Sequence, residues 1–101
     1  MNIWLDDIRL PPGSDWIWVK SVNQAKQIIR EFETMGFTHN IKLSLDHDLG
    51  DFFCDGGDGI SLMDWLVTRN TLYPVTFHTQ NPVGRANMER MYRRYWLKES
   101  L

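Results

Sequence analysis

The chain has 101 residues, of which 43% are hydrophobic and 24% charged, with a net charge of −2 at pH 7. This composition excludes disorder, collagen-like repeats and low-complexity architecture, and the length is that of a single domain, residues 1–101, built on one core. No apolar run approaches the roughly 18 residues of a membrane span. The strand-like start Asn2-Ile3-Trp4-Leu5-Asp6 lacks the regions of a secretion signal, so no membrane association and a cytoplasmic location are expected.

In chain order, Asn2 to Asp6 is a short apolar segment that ends in acids. Pro11-Pro12-Gly13 marks the loop after it, and Trp16 to Lys20 is a second strand. Ser21 suits an N-cap for a helix whose Val22, Ala25, Ile28, Ile29 and Phe32 follow helical spacing, with Gly36 as its C-terminal cap. Ile41 to Asp46 is the third strand. A loop rich in glycine and aspartate follows, and Asp58 is placed to cap a helix with Ile60, Met63, Leu66 and Val67 as its apolar stripe. Tyr73 to His78 is the fourth strand. Asn81-Pro82 opens a last helix with Met88, Met91, Tyr92 and Tyr95 on its inner face. The expected fold is α/β: three layers, a mainly parallel four-stranded sheet and about three helices.

Charge is unevenly distributed, since residues 1–64 carry eleven acids against five bases and residues 65–101 carry two acids against six bases. In parallel α/β sheets ligands bind at the carboxyl ends of the strands. Here those ends hold Asp6, Asp7, Asp46, Asp48 and His78. Four carboxylates brought together would repel one another, and a hard cation such as Mg²⁺ or Mn²⁺ would relieve that repulsion. The same acids could instead cap turns or pair with Arg9. A calcium loop starting at Asp46 fails, because glycine and the closing glutamate fall out of register, and no compact Cys/His set supports zinc.

His47 and His78 lie beside the acids, where an imidazole can exchange protons near neutral pH, or can simply sit buried and hydrogen-bonded. After His78 come Thr79, Asn81, Gly84 and Arg85 at a helix N-terminus. Amide groups there attract anions, Gly84 would let a phosphate approach and Arg85 would add charge. His39 is expected at the surface. The last helix interleaves Arg90, Arg93, Arg94 and Lys98 with Tyr92, Tyr95 and Trp96, a mixture that suits either a nucleic-acid surface or an ordinary exposed helix. Phe52 and Phe53 could stack on a base or pin the loop to the core.

Three motifs in order carry a resemblance: Leu5-Asp6-Asp7-Ile8-Arg9 with Pro11, then Leu45-Asp46-His47-Asp48-Leu49-Gly50, then His78-Thr79-Gln80-Asn81-Pro82-Val83-Gly84 with Asn87-Met88. The chain resembles the cyclic-phosphate processing receiver-like domains from Ile3 to Met88. The resemblance implies a receiver (flavodoxin-like) fold put to work on cyclic phosphates, including RNA ends, rather than on two-component signalling. Asp6, Asp7 and Asp46 match the receiver's acids, and Thr79 lies near its hydroxyl position. The helix between strands one and two is replaced by the Pro-Pro-Gly loop, and the fifth strand with its lysine is missing, so the receiver is a truncated one.

The expectation is a metal-assisted phosphoesterase acting on the cyclic phosphate of a small nucleotide or an RNA end, as in RNA repair, in a chain whose size would suit a phage product. Asp6, Asp7, Asp46 and Asp48 would hold Mg²⁺ or Mn²⁺. His78, His47 and Asp46 would be catalytic, and Asn81, Arg85, Thr79 and Arg9 would bind substrate. The alternatives are a module that holds a nucleotide or a protein partner without turnover, and, last, phosphorylation of Asp46.

Overall fold

The computed structural model describes residues 1–99. Four short strands, β1 (Asn2–Leu5), β2 (Trp16–Val19), β3 (Lys42–Leu45) and β4 (Val75–Phe77), form one sheet in the order β2-β1-β3-β4, every pair parallel. The helices are α1 (Val22–Thr34), α2 (Gly59–Arg69) and α3 (Pro82–Tyr95), with 3₁₀ turns at Thr38–Asn40 and Gly50–Cys54.

Local sequence explains the helix ends. The Ser21 hydroxyl accepts from the Gln24 amide at 3.1 Å, and beyond Met35 the chain reverses at Gly36, whose φ of 86° suits a residue without a Cβ. Asn81 accepts from the Gly84 amide at 3.0 Å, with Pro82 in the first turn. The Asp58 carboxylate does not cap α2: it accepts from Leu49 at 3.3 Å and so braces the loop in front of the helix. Leu62 joins Met63 and Leu66 as the buried stripe of α2, whereas Ile60 and Val67 lie at its edges. In α3 the expected inner residue Tyr95 is exposed, and Trp96 packs instead, its indole donating to the Tyr73 carbonyl at 2.7 Å.

Alternation along the strands assigns the two faces. Ile3, Leu5, Leu43 and Leu45 are buried among residues of α1, α2 and α3 in one cluster, so all three helices cover the same face. The handedness of crossovers accounts for this, because β2-α1-β3 and β3-α2-β4 both step across the sheet in one direction, whereas β1 to β2 steps the other way. That backward connection belongs on the opposite face, and it holds no helix. The expected third layer is thus the loop of residues 6–15. Trp4 Nε1 donates to the Arg9 carbonyl at 2.9 Å, Trp18 Nε1 to the Asp6 carbonyl at 2.8 Å, and Asn2 to Asp15 at 3.3 Å, so side chains of this face fasten the loop down.

Candidate functional site

Strands β1, β3 and β4 each end one residue before a candidate site residue, yet the ladder continues into it. The Asp6 amide donates to Val19, the Asp46 amide to Leu5 and the His78 amide to Leu45, at 3.1, 2.9 and 3.1 Å. The strand register therefore fixes these three positions on rigid backbone. By alternation they share the helix-free face with Trp4, Ser44 and Thr76.

Asp6 is almost fully buried. Its Oδ1 accepts from the amides of Ile8 and Arg9 at 2.9 and 2.8 Å, and its Oδ2 from His78 Nε2 at 3.0 Å. The other ring nitrogen of His78 meets the Ser44 hydroxyl at 2.8 Å, and the ring stacks flat on Trp4 with centroids 3.6 Å apart. Burial holds this imidazole below its ordinary value against the pull of the Asp6 carboxylate, so the neutral form is favoured. Both nitrogens are engaged within the protein. His78, expected as an acid or base facing substrate, is placed as the prop behind Asp6.

Asp6, Asp7 and Asp46 each offer a carboxylate oxygen within 4.8 Å of the others. Burial, together with the charges of Asp6 and Asp7, raises the Asp46 carboxyl above its ordinary value, although the Thr79 hydroxyl and the His47 amide oppose the rise. A cavity of about 540 Å³ opens beside them, lined by residues that follow β1 (Asp6, Asp7, Ile8, Arg9), β3 (Asp46, Asp48, Gly50) and β4 (Thr79, Gln80, Asn81). Gly50 is required here. Its φ is +53°, and a Cβ on it would come within 2.5 Å of Asp7 Oδ2.

The structure divides the four expected metal carboxylates. Asp48 lines the cavity, but its carboxylate groups with His47 and Asp58 rather than with Asp6, Asp7 and Asp46. It accepts from His47 Nδ1 at 2.8 Å and from Asn81 Nδ2 at 3.0 Å, and these bonds, the histidine's first, hold it below the ordinary carboxylate range. The backbone space at Gly84, expected to admit a phosphate, is occupied by the His47 ring, against which any Cβ would collide. The Asn81 side chain is likewise engaged on both ends, by Asp48 and by the Gly84 amide. Thr79 is buried behind Asp46 and accepts from the Asn81 amide at 3.2 Å. Arg85 is not in the cavity lining: it pairs with Glu89 at 2.9 Å and reaches the Phe77 carbonyl at 3.3 Å. Arg9 lines the cavity and donates through one nitrogen to the His78 carbonyl at 3.0 Å.

Several participants carry no signal in a motif. Ser44 and Trp4 act on His78 from mid-strand, and alternation with Asp46 and Asp6 was the pattern that pointed to their face. Gln80 lines the cavity, and among the described residues its side chain has no hydrogen-bond partner. His39 is exposed, as expected, and lies before the amino end of β3, whose other end carries Asp46.

A parallel sheet in the order 2-1-3-4, with acids at the carboxyl ends of its two central strands, defines a receiver-like α/β domain that lacks the first helix and the fifth strand among the described residues. The sequence of residues 1–94 matches the family described as the cyclic-phosphate processing receiver domain, and the chain belongs to that family. No curated protein and no solved structure matches it. No helix among the described residues is long and apolar enough to cross a membrane.

Proposed function

We propose that this receiver domain is a metal-assisted phosphoesterase that opens the cyclic phosphate of a nucleotide or an RNA end. The observation that carries the reading is the grouping of Asp6, Asp7 and Asp46 within 4.8 Å beside one cavity. Their donor set fits Mg²⁺ or Mn²⁺, since all are hard oxygens. Asp6, though held by three donors, keeps a lone pair on Oδ2. A bound cation supplies charge to neutralise the phosphate. His78, Trp4 and Ser44 fix Asp6, and Thr79 steadies Asp46. Arg9 has further N–H groups for phosphate oxygens. Asp48, exposed to the cavity and backed by His47, accepts the proton of the attacking water. As the water oxygen bonds to phosphorus one ring P–O bond breaks, and the sugar oxygen takes up a proton.

The experiment is a pair of measurements. Millimolar Mg²⁺ or Mn²⁺ raises the melting temperature of the wild type by mass action, and Asp46→Asn abolishes the rise while stabilising the metal-free protein by removing a raised carboxyl. Wild type then hydrolyses 2′,3′-cyclic nucleotides or cyclic-phosphate-ended RNA, and Asp48→Asn loses about 10² to 10⁴-fold in rate. Absence of a metal-dependent rise sinks the metal site. Binding without turnover replaces this reading by that of a nucleotide-binding module, which is favoured by the engagement of both His78 nitrogens.

A further inference from the structure

The largest exposed apolar side chains are not scattered. Ile8 is 81% exposed, Val83 70%, Leu10 68% and Phe53 59%; Ile8 belongs to the acidic cavity and the other three lie within three residues of the segments that line it. Ile8 itself lines it, Leu10 follows two residues on, Val83 lies two residues past the lining Asn81, and Phe53 three past the lining Gly50. The other exposed apolar residues, among them Met35, Phe37 and Leu97, follow the C-terminal ends of α1 and α3, at the amino ends of the strands. Exposed apolar side chains on the segments next to a charged cavity match a ligand that is ionic at one end and apolar at the other.

We infer that the rim formed by Ile8, Leu10, Phe53 and Val83 binds the nucleobase attached to the phosphate, with the unpartnered Gln80 amide reading the base edge. The inference rests on the phosphate-binding reading of the cavity and names the part of the ligand that reading leaves open. The size of the site favours a nucleoside over a protein partner, because about 540 Å³ lies within the range of small-molecule sites, whereas a stable protein interface needs about 800 Å² from each side. Chemistry agrees. A base offers π-faces to Phe53 and to aliphatic methyl groups, and its edge offers the donor and acceptor that one amide can pair with simultaneously.

The test uses two ligands with the same five-membered cyclic phosphate, a nucleoside 2′,3′-cyclic phosphate and the baseless glycerol 1,2-cyclic phosphate, titrated calorimetrically in Mg²⁺ into protein carrying Asp48→Asn to suppress turnover, with the rim wild type or altered. The nucleotide binds about tenfold tighter or better, the range that base stacking supplies. Ile8→Ser with Val83→Ser removes that advantage without weakening the glycerol compound, and the melting curve is kept because both side chains are exposed. Gln80→Ala flattens the differences among the four bases. Equal affinity of the two ligands for the wild-type rim, or a rim variant that still prefers the nucleotide, overturns the inference while leaving the phosphate reading standing. Failure of both ligands to bind overturns the two together. A wild-type dimer that the rim variant dissociates, with nucleotide affinity unchanged, assigns the rim to a second copy of the chain and also overturns it.

Discussion

The two faces of the sheet are closed by different means. On one, Ile3, Leu5, Leu43 and Leu45 bury against three helices, and stability comes from apolar area. On the other, Trp4 and Ser44 are buried too, but what covers them is a loop, a histidine ring and a second tryptophan. There the contacts are hydrogen bonds and stacking, and those from Trp4 to Arg9, from Trp18 to Asp6 and from His78 to Asp6 end on residues of the cavity. The helix face therefore makes the fold, and the loop face makes the site out of the fold. Mutations that look equally buried should separate along that line.

The largest expected loss is on the helix face. Leu43→Ala should cost about 2–5 kcal/mol in urea unfolding, a large fraction of the stability of a domain of this size, while the Mn²⁺ affinity of the molecules that remain folded is unchanged. Loss of affinity in step with stability would break the comparison. Trp4→Phe keeps a ring to stack on His78 and removes the donor to the Arg9 carbonyl, so it should cost about 1 kcal/mol. Unlike Leu43→Ala it should weaken Mn²⁺ binding severalfold, measured by electron paramagnetic resonance, because the loop that holds Asp6 and Asp7 loosens. Unchanged affinity would mean that the loop is held by its backbone alone.

The helix face also carries a polar lock, and its pH dependence sharpens the contrast. Tyr73 donates to Glu33, which also pairs with Arg69 at 2.6 Å. Burial, then Glu33, push the Tyr73 hydroxyl up to about 12. Burial alone would raise Glu33, but Arg69 and Tyr73 together hold it below its ordinary value. For the tyrosine, raised in the folded state, the stabilisation is complete below the unfolded value of 10.0 and is lost as pH climbs towards 12. For the glutamate, lowered in the folded state, it is complete above the unfolded value of 4.5 and is lost as pH falls through the folded one. Tyr73→Phe should lower stability at neutral pH by about 1 kcal/mol, flatten the alkaline limb of the melting-temperature profile and leave cation affinity untouched. An alkaline limb as steep as wild type would assign that loss to other groups.

Much of this was legible because it is local. Ser21, Gly36 and Asn81-Pro82 announce the helix ends within a few residues of themselves, and alternation in Asn2 to Leu5 and Lys42 to Leu45 separates the two faces. The acids at the strand ends followed from the way ligands sit on parallel sheets. What stayed hidden depends on pairings between distant segments. Nothing near His78 says that its second nitrogen meets Ser44, thirty-four residues earlier, because that contact exists only once β3 and β4 are in register. Asp48 looked like a fourth ligand from its spacing to Asp46, and only the approach of Asn81 and His47 draws its carboxylate away. The glycine at 84 reads as an anion site until the His47 ring is seen filling its space.

The helix-free crossover also sets an order in time. Asn2 pairs with Trp16 across fourteen positions but with Lys42 across forty, so closing the first pairing saves about 1 kcal/mol of loop entropy relative to the second. The edge of the sheet should accordingly form before its centre, which reverses the usual expectation that a parallel pair waits for the helix between its strands. Trp4, Trp16 and Trp18 all lie on that early pair and are its own reporters. In stopped-flow refolding, Val19→Ala should slow folding nearly in proportion to the stability it removes, whereas Val75→Ala on β4 should act mainly by speeding unfolding. The opposite assignment of the two rates would show that the nucleus forms at the centre of the sheet, and that the loop is fastened down last.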